Sequence, residues 1–144
     1  MEGRFVIRNT SRYPTDEVRE LVRFAMQDVD TRALCVNVKR QTKHGWTGWA
    51  YEGVPLMSNA PRGARYLVTL RVGEQTHYPV TRSRVRRGEP EGVTFHDWRE
   101  TLVFLAAHEA KHIEQYRENL PRSEVRCNVF AAHMLSRYRE KVSA

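Results

Sequence analysis

The spacing of hydrophobic residues changes from a helical to a strand-like period near residue 30. Upstream of this point, apolar residues recur at intervals of three and four, which predicts a helix capped by Thr15 or a neighbour. The apolar positions of this helix are Val18, Leu21, Val22, Ala25, Met26 and Val29. After Asp30 the period falls to two, because Leu34, Val36 and Val38 alternate with less apolar residues, as in a β-strand.

Further strand candidates follow, separated by turns that contain glycine and proline. They are Trp49–Glu52, Arg65–Val72 and His77–Val85. Pro79 suits a strand at the edge of a sheet, because proline has no backbone N–H to donate to a neighbouring strand.

Two more helices are predicted in the last third of the chain. The first is started by Thr94 with Asp97, and its run Thr101–Ala107 is apolar on almost every side, as in a helix buried through much of its circumference. The second covers Ser123–Lys141, after a break marked by an asparagine and a proline. Its candidates for core positions are Val125, Val129, Ala132 and Met134 or Leu135.

The predicted order of elements is therefore a helix, three or four strands, and two helices. Such an order predicts an α+β fold, with helices packed on a small and mostly antiparallel sheet. The sequence shows no internal repeat, and 144 residues suit one domain, 1–144, with a single hydrophobic core.

Composition narrows the functional classes only a little. Forty per cent hydrophobic residues favour a folded chain over a disordered one. No apolar run is long enough to span a membrane, and the N-terminal residues lack the apolar stretch of a signal peptide. Two cysteines, Cys35 and Cys127, do not make a disulfide framework, so we expect an intracellular, cytoplasmic protein without a membrane partner.

The most informative residues lie inside the apolar helix, where His108-Glu-Ala-Lys-His112 forms an H-E-x-x-H motif. Residues four apart share a helix face, so His108 and His112 can grip one metal ion. Glu109 lies about 100° round from His108, within reach of a water on that metal. Two imidazoles suit zinc, and a neighbouring carboxylate can take a proton from water, which is the arrangement of zinc-dependent peptidases.

A catalytic zinc site needs a third protein ligand and an open position. Glu124 is the first candidate, because it falls in the first turn of the last helix and a short connection can return it to the histidines. Cys127 is the alternative, since thiolates also bind zinc well, although a free cysteine is more often a small buried hydrophobe. Asn128, one turn beyond Glu124, could orient that carboxylate.

Residues 101–135 resemble the active-site core of the gluzincin zinc metallopeptidases. The resemblance rests on His108-Glu-Ala-Lys-His112-Ile-Glu-Gln115 and on Glu124-Val-Arg-Cys-Asn128-Val-Phe130-Ala131-Ala132. It is closest to the ImmA/IrrE-like group, whose E-x-x-A-N-x-F-A helix supplies the third ligand, and Cys127 stands where that group has alanine. The resemblance implies a minimal zincin-like domain in which His108, His112 and Glu124 hold Zn²⁺ and Glu109 is the general base.

Such an enzyme would hydrolyse a protein or peptide held in an extended conformation. An exposed strand edge can hold an extended peptide by main-chain pairing. The strand candidate that precedes the metal-binding helix, His77–Val85, is the expected edge.

The charge balance supports a hypothesis from a different class. The chain carries a formal net charge of +7 and has 20 arginines against 4 lysines. Arginines 82, 84 and 86 would share one face of a strand, and Arg87 follows them. Arg82, Arg84, Arg86 and Arg87 could therefore bind nucleic acid in a basic module whose metal is structural.

Overall fold

The computed structural model describes residues 3–41, 45–54, 60–73, 78–83 and 87–144. Their order of elements is β1 (Val6–Asn9), α1 (Thr15–Ala25), β2 (Leu34–Arg40), β3 (Trp46–Glu52), β4 (Tyr66–Val72), β5 (Val80–Arg82), β6 (Val93–Phe95), α2 (Trp98–Arg117) and α3 (Glu124–Ser143). The architecture is α+β, as predicted, and strands β2, β3 and β4 contain the predicted apolar segments.

The main sheet is mixed, and the prediction of a mostly antiparallel sheet was wrong. Its order is β1-β2-β4-β3, in which β2 pairs in parallel with both β1 and β4, and β3 alone runs antiparallel. Two features that the hydrophobic pattern did not reveal explain the difference: strand β1, and the position of β4 between β2 and β3. With β1 in place, helix α1 becomes a crossover between two neighbouring strands, and a crossover returns the chain in the same direction.

The register of the sheet places small and apolar residues in rows on the face towards the helices. Val36 of β2 lies opposite Val68 of β4, which lies opposite Ala50 of β3. The next row is Val38, Leu70 and Gly48. This face joins the main hydrophobic core with the buried sides of the three helices. Gly48 thereby faces the helix layer from the last strand of the sheet.

Helix α2 is the central helix of the fold. Asp97 caps it by accepting a hydrogen bond from the backbone N–H of Glu100 at 3.0 Å. The helix packs against α1, α3, β3 and β4, so it is buried on nearly every side, as the apolar run predicted. Within the described part of the chain, no helix is long and apolar enough to cross a membrane.

A tight reversal brings α3 back along α2. Asn119 adopts a positive φ of 52°, and the Leu120 N–H returns to the carbonyl of Gln115 at 2.9 Å. Ser123 then caps α3, because its side chain accepts from the backbone N–H of Arg126 at 3.2 Å. Glu124 is therefore the first residue of α3, and it faces α2 at the level of the histidines.

The segment before α2 differs from its prediction. Of the predicted strand His77–Val85, the structure describes residues 78–83, and Val80–Arg82 forms β5. Residues 77, 84 and 85 lie outside the described residues. β5 pairs antiparallel with β6 in a separate two-stranded sheet, and Pro79 lies just before β5.

Candidate metal centre

Three side chains predicted to bind a metal meet between α2 and α3. His108 and His112 lie on one face of α2, with ring centroids 5.0 Å apart. The Nε2 of His108 is 3.5 Å from Oε2 of Glu124, and the Nε2 of His112 touches the same oxygen. His112 is fully buried, and the Glu124 side chain is 31% exposed, so the cluster opens to solvent on the Glu124 side.

The tautomer of His108 is fixed by a short chain of hydrogen bonds. Its Nδ1 lies 2.7 Å from Oδ1 of Asn128, whose Nδ2 donates to Oε1 of Glu89 at 2.9 Å. A carboxylate only accepts, so the amide nitrogen of Asn128 must face Glu89 and its oxygen must face the imidazole. His108 must then donate from Nδ1, which leaves the lone pair on Nε2 free for a metal.

Glu89 is the first group in this series of hydrogen bonds, and it is buried, with 4% of its surface exposed. Arg82 reaches its other oxygen at 3.3 Å, so the buried carboxylate has a cationic partner. The expectation that Asn128 orients Glu124 was wrong. Asn128 holds His108 instead, because its side chain lies between that imidazole and Glu89.

The same logic fixes His112 through Gln115. The backbone N–H of Ser123 donates to Oε1 of Gln115 and the Ser123 carbonyl accepts from its Nε2, each at 3.3 Å. The amide oxygen of Gln115 therefore faces Nδ1 of His112 at 3.0 Å, and that nitrogen must donate. The Gln115 side chain thus sets the tautomer of His112 and also holds the backbone of Ser123, the residue before Glu124.

The donor atoms fit a metal ion. With both Nδ1 atoms protonated, the Nε2 of His112 and Oε2 of Glu124 present lone pairs to each other, and both atoms are buried without a hydrogen-bond partner. Two such acceptors in contact repel each other unless a proton or a metal ion lies between them. The ligand atoms of His108, His112, Glu124 and Cys127 all lie within 4.8 Å of one another. This group could bind a metal ion.

Cys127 remains in the group as the alternative ligand. Its thiol is fully buried, and burial, followed by the charges of Glu124 and Glu109, raises its pKa to about 12. Burial and the neighbouring His112 lower the pKa of His108 to about 4. In the metal-free state the His108 imidazole and the Cys127 thiol are therefore both neutral near pH 7.

Glu109 lies beside the cluster, buried between α2 and strand β3. Burial first, and then the charge of Glu124, raises its pKa to about 8. It fits because Gly48 has no side chain: a Cβ there would lie 3.0 Å from Oε2 of Glu109 and 3.1 Å from its Cγ. The hydrophobic pattern carried no signal for this close approach, which depends on the register of β3.

Glu109 and the metal cluster share one cleft of about 220 Å³. The last strand of the main sheet, β3, forms one wall with Trp46, Thr47, Gly48 and Trp49. In the described residues β3 pairs only with β4, so its outer edge borders the cleft unpaired. Two arginines complete the lining, Arg82 and Arg122, and Arg122 donates to the Tyr116 hydroxyl at 2.7 Å.

The arginine stripe predicted for nucleic-acid binding is only partly described. Arg84 and Arg86 lie outside the described residues, and Arg87 is exposed. Arg82 is committed elsewhere, since its guanidinium pairs with Glu89 and lies 5.8 Å from the centroid of the Phe104 ring. Arg82 thus lines the cleft and pairs with Glu89 there.

Comparison with known proteins adds no assignment. The chain matches no protein-family model, no curated protein and no solved structure. The geometry of the cleft is therefore the basis for a functional proposal.

Proposed function

We propose that the chain is a zinc-dependent metallopeptidase of the zincin type, with His108, His112 and Glu124 as ligands and Glu109 as general base. The observation that carries this proposal is the contact between two lone-pair atoms, Nε2 of His112 and Oε2 of Glu124, beside a buried carboxylate. Neutral imidazoles with a carboxylate are a donor set that suits zinc. When bound, zinc would supply a Lewis acid that acidifies water and polarises a peptide carbonyl.

Glu109 has the properties of a group that takes a proton and later returns it. It lines the cleft next to Glu124, and in the metal-free state burial raises its pKa from 4.5 to about 8, close to the pH at which a group can both accept and release a proton. In the proposed reaction it accepts a proton from the attacking water. It then passes that proton to the nitrogen of the departing amine.

The outer edge of β3 is the better candidate for holding the substrate. Four consecutive β3 residues line the cleft, whereas β5, from the segment first expected to provide this edge, contributes Arg82. An extended peptide added to β3 would pair through its main chain and pass beside Glu109. Arg122, which lines the same cleft, is a candidate donor to the negative charge that develops on the carbonyl oxygen.

The test of this proposal is Glu109→Gln, assayed with an unfolded protein substrate and zinc analysis in parallel. We expect full zinc content and a loss of hydrolysis of at least about 100-fold, because the amide cannot accept the proton. The matched control is Glu118→Gln, at the exposed end of α2, which should keep both properties. Hydrolysis that survives in Glu109→Gln rules out the proposed base.

One observation favours a second candidate, a purely structural metal centre. The Sγ of Cys127 lies within the ligand group, and four protein ligands would close the site to water. Cys127→Ala separates the two candidates. The peptidase should retain zinc and hydrolysis in this variant, whereas a closed structural site would lose its metal, and wild type would show no hydrolysis.

A further inference from the structure

A cavity lined by arginines lies at the edge of the main sheet where the parallel strands begin. Arg4 lies two residues before β1, Arg32 two residues before β2, and Arg65 directly before β4. Parallel strands start at the same edge of a sheet, so these residues converge. Arg62 and Arg117 complete the set. We call this space of about 510 Å³, lined by Arg4, Arg32, Arg62, Arg65 and Arg117, the arginine cavity.

The charge of the arginine cavity is strongly one-sided. Its remaining lining residues are Gly3, Ala33 and Gly63, so no carboxylate of the described residues lines it. Of the five arginines that line the cavity, Arg32 forms a salt bridge in the described part of the chain, with the carboxylate of Asp30 at 2.6 Å. Asp30 lines the adjoining depression with Glu114 and Glu118, which marks one boundary of the positive surface.

The backbone around the cavity is held in place. The carbonyl of Ala33 accepts from the N–H groups of Arg65 and Tyr66, at 2.8 and 3.1 Å, which ties two arginine-bearing segments together. Gly3 packs so closely that a Cβ there would lie 2.5 Å from the Cβ of Ala33. The guanidinium of Arg117 lies 4.3 Å from the ring centroid of Tyr66.

Arg117 also carries an unused donor. It donates from Nη2 to the carbonyl of Arg32, but its Nε is buried without a hydrogen-bond partner. An unpaired N–H on a cationic side chain favours an anionic partner, and Arg117 lines this cavity. The cavity thus combines a fixed frame, converging charge and an unpaired buried donor.

We propose that the arginine cavity binds the sugar–phosphate backbone of a nucleic acid. Guanidinium groups bind phosphate oxygens in a bidentate manner, and their spread over four chain segments suits a ligand with repeated charge rather than one anion. The net charge of +7 favours association with such a polyanion. Arg82 of the predicted arginine cluster lines the cleft and not this cavity, and the proposal does not depend on the proposed peptidase activity.

The test is the affinity for a fluorescent single-stranded oligonucleotide, measured by anisotropy between about 50 and 200 mM salt. We expect Arg62→Ala/Arg65→Ala to bind at least about 10-fold more weakly, with a salt slope reduced by about 0.7 for each phosphate that the variant no longer neutralises. The control is Arg19→Ala/Arg23→Ala on α1, which removes the same charge from exposed positions outside the cavity. Thermal melting establishes that both variants are folded.

Three results would overturn the proposal. The first is equal weakening by both double variants, which would show a general effect of net charge. The second is displacement of the oligonucleotide by inorganic phosphate at matched phosphate concentration, which would show a site for a single anion. The third is equal binding of polyglutamate with the same dependence on Arg62 and Arg65, which would identify an acidic polypeptide as the partner.

Discussion

At the residue scale, the two histidines are oriented by amide side chains that are themselves fixed by other groups. Asn128 is turned by the Glu89 carboxylate, and Gln115 is turned by the backbone of Ser123. An amide alone could present either its oxygen or its nitrogen to an imidazole. The third group removes this choice, so each histidine donates from Nδ1 and keeps the lone pair of Nε2 free for a metal ion.

Glu89→Gln should weaken zinc binding by about 10- to 100-fold, the usual effect of losing a group that orients a ligand. The glutamine amide can donate as well as accept, so Asn128 is free to turn over and His108 no longer has a fixed tautomer. Affinity is measured by competition with a chromophoric chelator. Glu140→Gln on the exposed side of α3 is the control. An unchanged zinc affinity in Glu89→Gln would refute the role of the hydrogen bonds that link Glu89, Asn128 and His108.

At the element scale, strand β3 and helix α2 must approach closely for Glu109 to reach the cleft. Gly48 permits this approach, because the carboxylate of Glu109 occupies the space that a side chain would take. The edge strand therefore contributes to the site in two ways. It provides an unpaired edge beside the cleft, and Gly48 leaves room for the Glu109 carboxylate.

Gly48→Ala should lower hydrolysis by at least about 10-fold without loss of zinc. The added methyl would lie 3.0–3.2 Å from the carboxylate and Cγ of Glu109, so the base must shift, and small misplacements of a catalytic group are costly. Gly92→Ala is a suitable control, since its Cβ would meet ordinary contacts at 3.5 and 3.6 Å. Full activity in Gly48→Ala would show that the position of Glu109 tolerates this change.

The elements themselves were largely predictable from local pattern, whereas their arrangement was not. Helix α3 follows its predicted boundaries closely, whereas α2 begins at Trp98 with Asp97 as its cap, because Thr94, the predicted start, lies in β6. The four-residue strand β1 has too little pattern to recognise, and local pattern does not place β4 between β2 and β3, so the predicted strand directions were wrong. Val129 was expected in the core but is 48% exposed, because Cys127 and Asn128 take the buried face of α3 towards the metal cluster.

At the scale of the whole molecule, the candidate site places titratable groups in the interior of a small domain. Burial raises the pKa of Glu109 to about 8 and lowers that of His108 to about 4. In the folded, metal-free state Glu109 binds more protons than in the unfolded chain, and His108 binds fewer. The two groups therefore affect stability in opposite directions below pH 6.5, the ordinary pKa of histidine.

Between pH 6.5 and 8, only Glu109 of these two groups makes the free energy of unfolding depend on pH. Its folded pKa is above its unfolded value of 4.5, so the stability that it contributes is lost as pH rises through about 8. Metal-free wild type should therefore lose free energy of unfolding across this window relative to Glu109→Gln, on a scale of about 1.4 kcal/mol per pH unit at most. Urea denaturation in the presence of a chelator measures the difference, and parallel curves for the two proteins would contradict the buried, protonated state of Glu109.

The sequence predicted that His108, His112 and Glu124 lie together because a helix repeats its face about every four residues and a short connection brings the next helix back. It could not predict Glu89, which lies 39 residues from Asn128 and meets it only through the tertiary fold. The same limit applies to the arginine cavity, whose members lie on four separate segments. Sequence spacing predicts which residues share the face of one helix. Contacts between distant segments depend on the order and register of the strands, which spacing does not give.

Zinc binding by His108, His112 and Glu124 underlies the whole proposed mechanism, and elemental analysis of the purified protein tests it. Wild type, Glu124→Ala and Cys127→Ala are compared, with zinc and other transition metals determined together. We expect about one zinc ion per chain in wild type and in Cys127→Ala, and its loss from Glu124→Ala. Zinc retained in Glu124→Ala and lost from Cys127→Ala, or no metal in wild type, would contradict this ligand set.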